Sequence, residues 1–247
     1  MSTPTLWHIE LSHYSEKARF ALDYKGVEHR KRAPLVGMHR PLAMAVTRST
    51  HDRMPVLKLP GTRAIGDSSA IIAALEERWP DPPLYPDDPA DRSRALELED
   101  YFDEHLAPAV RSYGFFQAMG QRNGLADAIA PDRPAVHRML SWGEPVVRAV
   151  IRGDYGADAQ VAERARAAID EAADVIEREV GASGYLVGDS FSVADLAGAA
   201  LFTPLLDPPG RPYLPPVVPA GTTELREELK GRPAGQWVCE MYVRHRT

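Results

Sequence analysis

The first 80 residues change hydrophobic period repeatedly, whereas the rest of the chain keeps to one. Thr5-Leu6-Trp7-His8-Ile9-Glu10 alternates and reads as a strand. Ser15 to Tyr24 sets Ala18, Phe20, Ala21 and Leu22 at helical spacing, and Gly26 suits a C-terminal stop. Val27 to Ala33 reads as a short second strand, and the stretch around Leu42–Val46 as a short, irregular helix. Pro55 to Leu59 is a third strand, Pro60-Gly61 a turn, and Arg63 to Ile65 the returning strand of a hairpin. Ser68 to Trp79 puts Ile71, Ile72, Leu75 and Trp79 on one helical face. The expected order is β-α-β-α-β-β-α.

The stretch from Pro80 to Ala90 carries repeated prolines, which remove backbone donors and push the preceding residues toward extended geometry. It reads as a linker. Beyond it the period is helical. Leu98, Phe102, Leu106, Ala109, Tyr113 and Phe116 step by three or four residues, giving a long amphipathic helix that Pro108 should kink. Residues 133–152 read as a second helix despite Pro145, and Val161 to Val180 as a third. At Ser192 the signals for a helix start coincide: Ser192 as N-cap, Asp195 three residues on, and Phe191 facing Leu196. Pro204 to Pro219 breaks the pattern, and a final helix is expected near 222–244.

Composition adds little to this picture except by exclusion. A chain of 247 residues, 44% hydrophobic and 26% charged, suits two ordinary globular domains. No apolar run approaches the roughly 18–20 residues that span a bilayer, so no membrane association is expected. Met1 to Pro4 lack the charged start of a signal peptide, and the single cysteine, Cys239, leaves no intrachain disulfide, so the expected location is cytoplasmic. Charge is uneven: residues 1–80 carry 12 Lys+Arg against 8 Asp+Glu, while the rest is acidic. A basic half suits a small anionic ligand, although solvated surface explains the same excess equally well. No dense Lys/Arg stripe with interleaved aromatics appears, so nucleic acid is not the expected partner.

Four local features in the first 80 residues carry candidate chemistry. Ser12 stands where a strand end turns into a helix start, where free N–H groups and the helix dipole stabilise an anion such as a thiolate. Taken alone, Ser12 reads better as a simple helix cap, and Ser15 is a rival hydroxyl. Met54-Pro55 opens a strand. A cis bond there would turn the Met54 backbone toward an extended peptide ligand. Only about 5–6% of X–Pro bonds are cis, however, so the sequence alone favours trans. Asp67 and Ser68 precede an apolar helix and suit an α-amino acid end, the carboxylate on Ser68 and the ammonium on Asp67. His39, Arg40 and Arg53 offer a cation for a second carboxylate.

Taken in order, these segments resemble the glutathione transferase family. Ser12-His13-Tyr14-Ser15-Glu16-Lys17-Ala18-Arg19 is similar to its active-site segment, with His13 where the family often has proline. Met54-Pro55-Val56-Leu57 resembles its cis-proline strand, and Gly66-Asp67-Ser68-Ser69-Ala70-Ile71-Ile72 its γ-glutamyl site. Leu84-Tyr85-Pro86 resembles its linker, and Gly188 to Asp195 the capping segment of its second domain. The segment Pro34–Asp52 matches the family poorly, and Pro204 to Pro219 has no counterpart in it.

The resemblance implies an α/β plus all-α protein. A thioredoxin-like glutathione-binding domain would occupy residues 1–80, a linker 81–90, and an all-helical domain 91–247. Glutathione would be the co-substrate. Ser12 would donate to its sulfur, Met54 with Pro55 would pair with its cysteinyl backbone, Asp67 and Ser68 would hold the γ-glutamyl end, and Arg53 would meet the glycyl carboxylate. His39 or Arg40 would assist Arg53. A hydrophobic electrophile would lie between the domains, against the helix that holds Arg111, Tyr113 and Phe116. The family also implies a homodimer and a role in detoxification.

With no cysteine in residues 1–80, a mixed disulfide with glutathione cannot form there, which favours conjugation over thiol-disulfide exchange. The histidines show no metal-ligand spacing, and neither a phosphate-binding loop nor a serine-hydrolase elbow is present. Two alternatives stay open: a non-catalytic binding relative, and a glutathione-dependent isomerase or dehalogenase.

Overall fold

Leu6 is fully buried at the centre of β1 (Thr5–Trp7), the inner strand around which the N-terminal half is built. The computed structural model describes residues 3–130, 132–156, 158–213 and 217–246. β1 runs parallel to β2 (Arg30–Arg32) and antiparallel to β3 (Val56–Lys58), which pairs in turn with β4 (Ala64–Gly66). The strand order is β2-β1-β3-β4. Helices α1 (His13–Tyr24), α2 (His39–Thr47) and α3 (Ser68–Arg78) join the strands, so the expected β-α-β-α-β-β-α order holds. β1, β2 and β3 are shorter than their sequence patterns, whereas β4 keeps three residues, shifted by one. After Trp7 the chain bends at once, with Ser12 N–H donating to the Ile9 carbonyl at 3.1 Å, so Ile9 and Glu10 leave the sheet.

The second half is helical. α4 (Pro89–Tyr101) begins on Asp88, whose carboxylate accepts from Ala90 and Asp91 N–H. A π-helical turn, Phe102–Leu106, leads directly into α5 (Ala107–Met119). Pro108, where a kink was expected, has no N–H for the Glu104 carbonyl, and the ladder slips to an i→i+5 bond, Ala107 N–H to the Phe102 carbonyl, just before it. The expected helix over 133–152 is two helices, α7 (Pro134–Trp142) and α8 (Glu144–Tyr155), which meet at Gly143 beside Pro145. A short α6 (Gly124–Ile129) precedes them. The long α9 (Ala159–Glu179) is followed by α10 (Val193–Leu201), where Ser192 N–H and Oγ both meet Asp195 Oδ2, at 2.8 and 2.9 Å. After α11 (Thr203–Leu206), the expected last helix is two, α12 (Ala220–Gly231) and α13 (Pro233–His245), because Pro233 starts a new one.

Helix α1 joins the two halves. Its buried face packs into one continuous core with Phe191, Leu196, Val238 and Tyr242 of the helical half. The Tyr242 hydroxyl donates to Glu16 Oε1 at 3.0 Å, and the Phe20 and Tyr242 rings lie 4.8 Å apart. Lys17 is fully buried, 2.7 Å from Glu99 and in close contact with Asp103. Burial pushes the Lys17 ammonium down, but the Asp103 and Glu99 carboxylates outweigh it and hold the group above its ordinary value.

The basic excess of residues 1–80 is largely structural. Arg30, Lys31 and Arg32 are exposed on edge strand β2, where charge discourages further pairing. Lys17, Arg19 and Lys25 are buried in ion pairs. Among the described residues, no helix is long and apolar enough to cross a membrane.

Candidate active site

A cleft of about 1480 Å³ is lined from both halves of the chain. All six residues singled out from the sequence, Ser12, Arg53, Met54, Pro55, Asp67 and Ser68, lie on its wall. The N-termini of α1 and α3 are among those that open into it.

Ser12 is the N-cap of α1, with extended backbone, and its Oγ accepts from Ser15 N–H at 3.3 Å. Capping and cleft lining therefore coincide in one residue. The Ser12 hydroxyl hydrogen has no acceptor among the described residues. Ser15 is fully buried, and its Oγ accepts from Ile9 N–H at 3.1 Å beneath the β1–α1 turn. It does not line the cleft, so the two hydroxyls have different surroundings. Tyr14 does line it, but its hydroxyl already donates to the Asp103 carbonyl at 3.0 Å. Burial raises the Tyr14 phenol to about 12, so it stays neutral.

Met54 is buried just before β3, and its bond to Pro55 is cis, contrary to the expectation from frequency alone. Its N–H and C=O have no backbone partner among the described residues. Asp67 is the N-cap of α3: its Oδ1 accepts from Ser69 and Ala70 N–H at 2.9 and 3.1 Å. It holds a left-handed φ of 77°, unusual for aspartate. Gly66 before it has a specific cause. A Cβ there would lie 2.3 Å from Cγ of His51, whose ring covers the turn. Ser68, the first residue of α3, is buried at the cleft wall.

Arg53 is the only Lys or Arg of residues 1–80 on the described cleft wall. His39 lines the cleft as well. Arg40 does not; it reaches across to Asp154 of α8 at 3.4 Å. The expected electrophile-side residues divide. Arg111 is on the wall, whereas Tyr113 and Phe116 are not. The Tyr113 hydroxyl instead donates to the Gly221 carbonyl at 3.0 Å. The face of α5 that meets the cleft is Val110, Arg111, Gly114, Phe115 and Ala118, turned away from Tyr113 and Phe116 by the helical period.

Sequence reasoning missed several wall residues: Tyr14, His51, Ser69 and Asp103, and Arg211, Tyr213 and Thr222 from the second half. Ser69 Oγ donates to Asp103 Oδ2 at 2.8 Å and accepts from Lys17 at 2.8 Å, which ties the start of α3 to the helical half. The proline-rich stretch from Pro204 to Pro219 proved to contribute to the cleft wall, through Pro204, Pro212, Val217, Val218 and Pro219; Leu214 to Pro216 lie outside the described residues. His13, read only as a departure from a family pattern, is buried on the wall. Burial, then the Arg111 and Arg211 guanidinium groups, lower its imidazole to about 3. No cluster of residues able to hold a metal occurs among the described residues.

Comparison with known proteins agrees with this architecture. Residues 6–83 match the glutathione S-transferase N-terminal domain family, and residues 159–230 the corresponding C-terminal domain family. The chain belongs to the glutathione S-transferase family. It is 30% identical over 96 residues to a probable glutathione S-transferase of Nicotiana tabacum, covering 38% of this chain and 43% of that protein. It is 34% identical over 96 residues to glutathione S-transferase 3 of Glycine max, with the same coverage of each. The chain thus matches less than half the length of these curated relatives. Among solved structures, the beta-etherase LigF of a Sphingobium species superposes with a TM-score of 0.63 at 20% identity, covering 97% of this chain and 99% of that one. Maleylacetoacetate isomerase of Anaeromyxobacter dehalogenans gives 0.58 at 20% identity, covering 96% and 88%, in a structure that holds dicarboxyethyl glutathione and citrate. A glutathione S-transferase of Methylobacterium radiotolerans, solved with glutathione sulfonate, gives 0.56 at 23% identity, covering 95% and 93%. These likenesses establish the shared fold.

Proposed function

We propose that the chain uses glutathione as a co-substrate and activates its thiol for attack on an electrophile. One observation carries this reading. The acceptor side of the Ser12 hydroxyl is engaged by Ser15 N–H, and its hydrogen is left to donate into the cleft. A hydroxyl donating to sulfur at a helix N-terminus favours the thiolate over the thiol. A thiolate held beside its acceptor then gains from proximity as well as nucleophilicity.

The remaining roles follow the wall. The unpaired Met54 backbone would take the cysteinyl backbone. Ser68 would hold the γ-glutamyl carboxylate and Asp67 its ammonium, and Arg53 with His39 would face the glycyl carboxylate. We assign the glutathione side to residues 1–80, a connecting stretch to 81–90 and the acceptor side to 91–247, and propose that the protein acts as a cytoplasmic homodimer. Conjugation is preferred over disulfide exchange because the cleft wall holds no cysteine. The sole one, Cys239, lies on α13.

The test is to incubate the protein with glutathione and a panel of alkyl, aryl and unsaturated electrophiles, following adduct formation beside Ser12→Ala. The reading predicts saturable turnover that Ser12→Ala reduces by about 10²-fold, the scale of losing one donor to a developing charge. A wild-type protein that neither retains glutathione nor forms adducts would leave only a binding protein of this fold.

A further inference from the structure

The acceptor side of the cleft holds buried nitrogen atoms that the protein does not satisfy. His13 Nε2, Arg111 Nε and Arg211 Nε are out of solvent, and none has a hydrogen-bond partner. All three residues line the cleft. His13 is 4% exposed and Arg211 6%. They come from three elements distant in sequence: α1, α5 and the stretch after α11.

Arg111 pairs with no carboxylate among the described residues. Its guanidinium lies over the Tyr155 ring at 4.7 Å and near the Tyr14 ring at 5.9 Å. Aromatic faces hold a cation in place but leave its charge uncompensated. Arg211 is anchored by NH1, to the Thr203 carbonyl at 2.6 Å and to Asp207 at 2.9 Å. Asp207 also binds Arg226 at 2.6 Å, so one carboxylate serves two guanidinium groups. Both Arg111 and Arg211 act on His13. The partly buried wall carboxylate, Asp103, is already used by Lys17, and the exposed Asp154 pairs with Arg40. The other wall carboxylates, Glu10, Asp67, Asp100, Glu104 and Asp132, are exposed. Glu16 also acts on Arg211 but already pairs with Arg19 and Arg246. Around these largely buried groups positive charge is thus in local excess, an environment that favours an anion over a neutral ligand.

We infer that the electrophile accepted by this cleft carries a carboxylate, which binds the Arg111 guanidinium, with Arg211 completing its seat. The inference rests on the reading that the cleft holds glutathione. It replaces the generic hydrophobic acceptor with an anionic one. Phe115, Tyr155 and Val147 on the same wall receive the apolar remainder of the molecule.

Glutathione thioethers test this without turnover. Two matched pairs would be titrated calorimetrically: S-(carboxymethyl)- against S-(carbamoylmethyl)glutathione, and S-(4-carboxybenzyl)- against S-(4-carbamoylbenzyl)glutathione. The acid should bind at least tenfold more tightly than its amide in at least one pair. Arg111→Gln should bring that pair to within twofold while leaving the amide within threefold, and Arg111→Lys should keep most of the preference. Acids and amides equal within twofold in both pairs, with the amides bound, would overturn the carboxylate seat and leave the glutathione reading intact. A preference unchanged in Arg111→Gln would remove Arg111 from it. If neither the thioethers nor glutathione bind wild-type protein, the glutathione reading itself falls, and this inference with it.

Discussion

The ammonium of Lys17 lies 2.7 Å from the Glu99 carboxylate, both out of solvent, and fastens the helix that begins at Ser12 to the first helix of the second half. Asp103 joins the same pair and reaches Ser69 at the start of α3. The N-termini of α1 and α3 on the cleft are therefore cross-braced through one buried cation. Lys17→Met leaves two carboxylates with no counter-charge, and breaking a buried pair in this way costs about 3–5 kcal/mol. Glu99→Gln should cost less, because Asp103 remains to pair with the ammonium. Urea midpoints of the three proteins check this ranking; a Lys17→Met midpoint equal to wild type would contradict it.

Asp67 serves two purposes that substitution can separate. As N-cap it accepts from two N–H groups of α3, and as an anion it faces the cleft. Asn caps nearly as well as Asp, whereas Ala loses about 1 kcal/mol. Asp67→Asn should thus keep stability within about 0.5 kcal/mol and weaken glutathione binding about tenfold. Asp67→Ala should lose both. Calorimetric titration together with thermal unfolding distinguishes the two variants, and an Asn variant that binds as wild type does would remove the charge from the binding role.

His13 makes the fold sensitive to acid. Its imidazole is held at about 3, whereas the unfolded side chain titrates near 6.5. Between these values the unfolded chain binds a proton that the folded one refuses, so stability is full above pH 6.5 and declines as pH falls. The loss approaches about 1.4 kcal/mol per pH unit, or about 2 kcal/mol by pH 5. His13→Asn should flatten the dependence of unfolding free energy on pH between 7 and 5. Identical slopes in the two proteins would show that His13 titrates normally.

Much of the first half was legible because its cues are local. The alternation around Leu6, the turn at Pro60-Gly61 and the Asp67 cap each act within a few residues, and they placed Ser12, Met54 and Ser68 on one wall. Strand ends were overestimated because alternation continues past the last ladder bond, as at Ile9. In the second half, one helix was expected across Pro145 and one over 222–244, but Pro145 and Pro233 each stand at the start of a new helix. Arg211 and Thr222 were missed because nothing local marks them. They reach the cleft only through the packing of the last helices against α1, which joins Glu16 to Tyr242 across 226 residues. The resemblance placed the electrophile against the helix holding Arg111, Tyr113 and Phe116, but helical phase decides which α5 residues face the cleft.

The most direct test concerns the ionisation of bound glutathione. Thiolate absorbance near the ultraviolet edge, titrated against pH in wild type, Ser12→Ala and Ser15→Ala, separates the two hydroxyls. The bound thiol should titrate well below its free value in wild type and be raised by about a unit or more in Ser12→Ala, since one hydrogen bond to a charged group is worth about 1.5–3 kcal/mol. Ser15→Ala should keep the wild-type thiol while losing about 1–3 kcal/mol of stability, because the Ile9 N–H loses its buried partner. A thiol that titrates identically in wild type and Ser12→Ala would contradict the central claim.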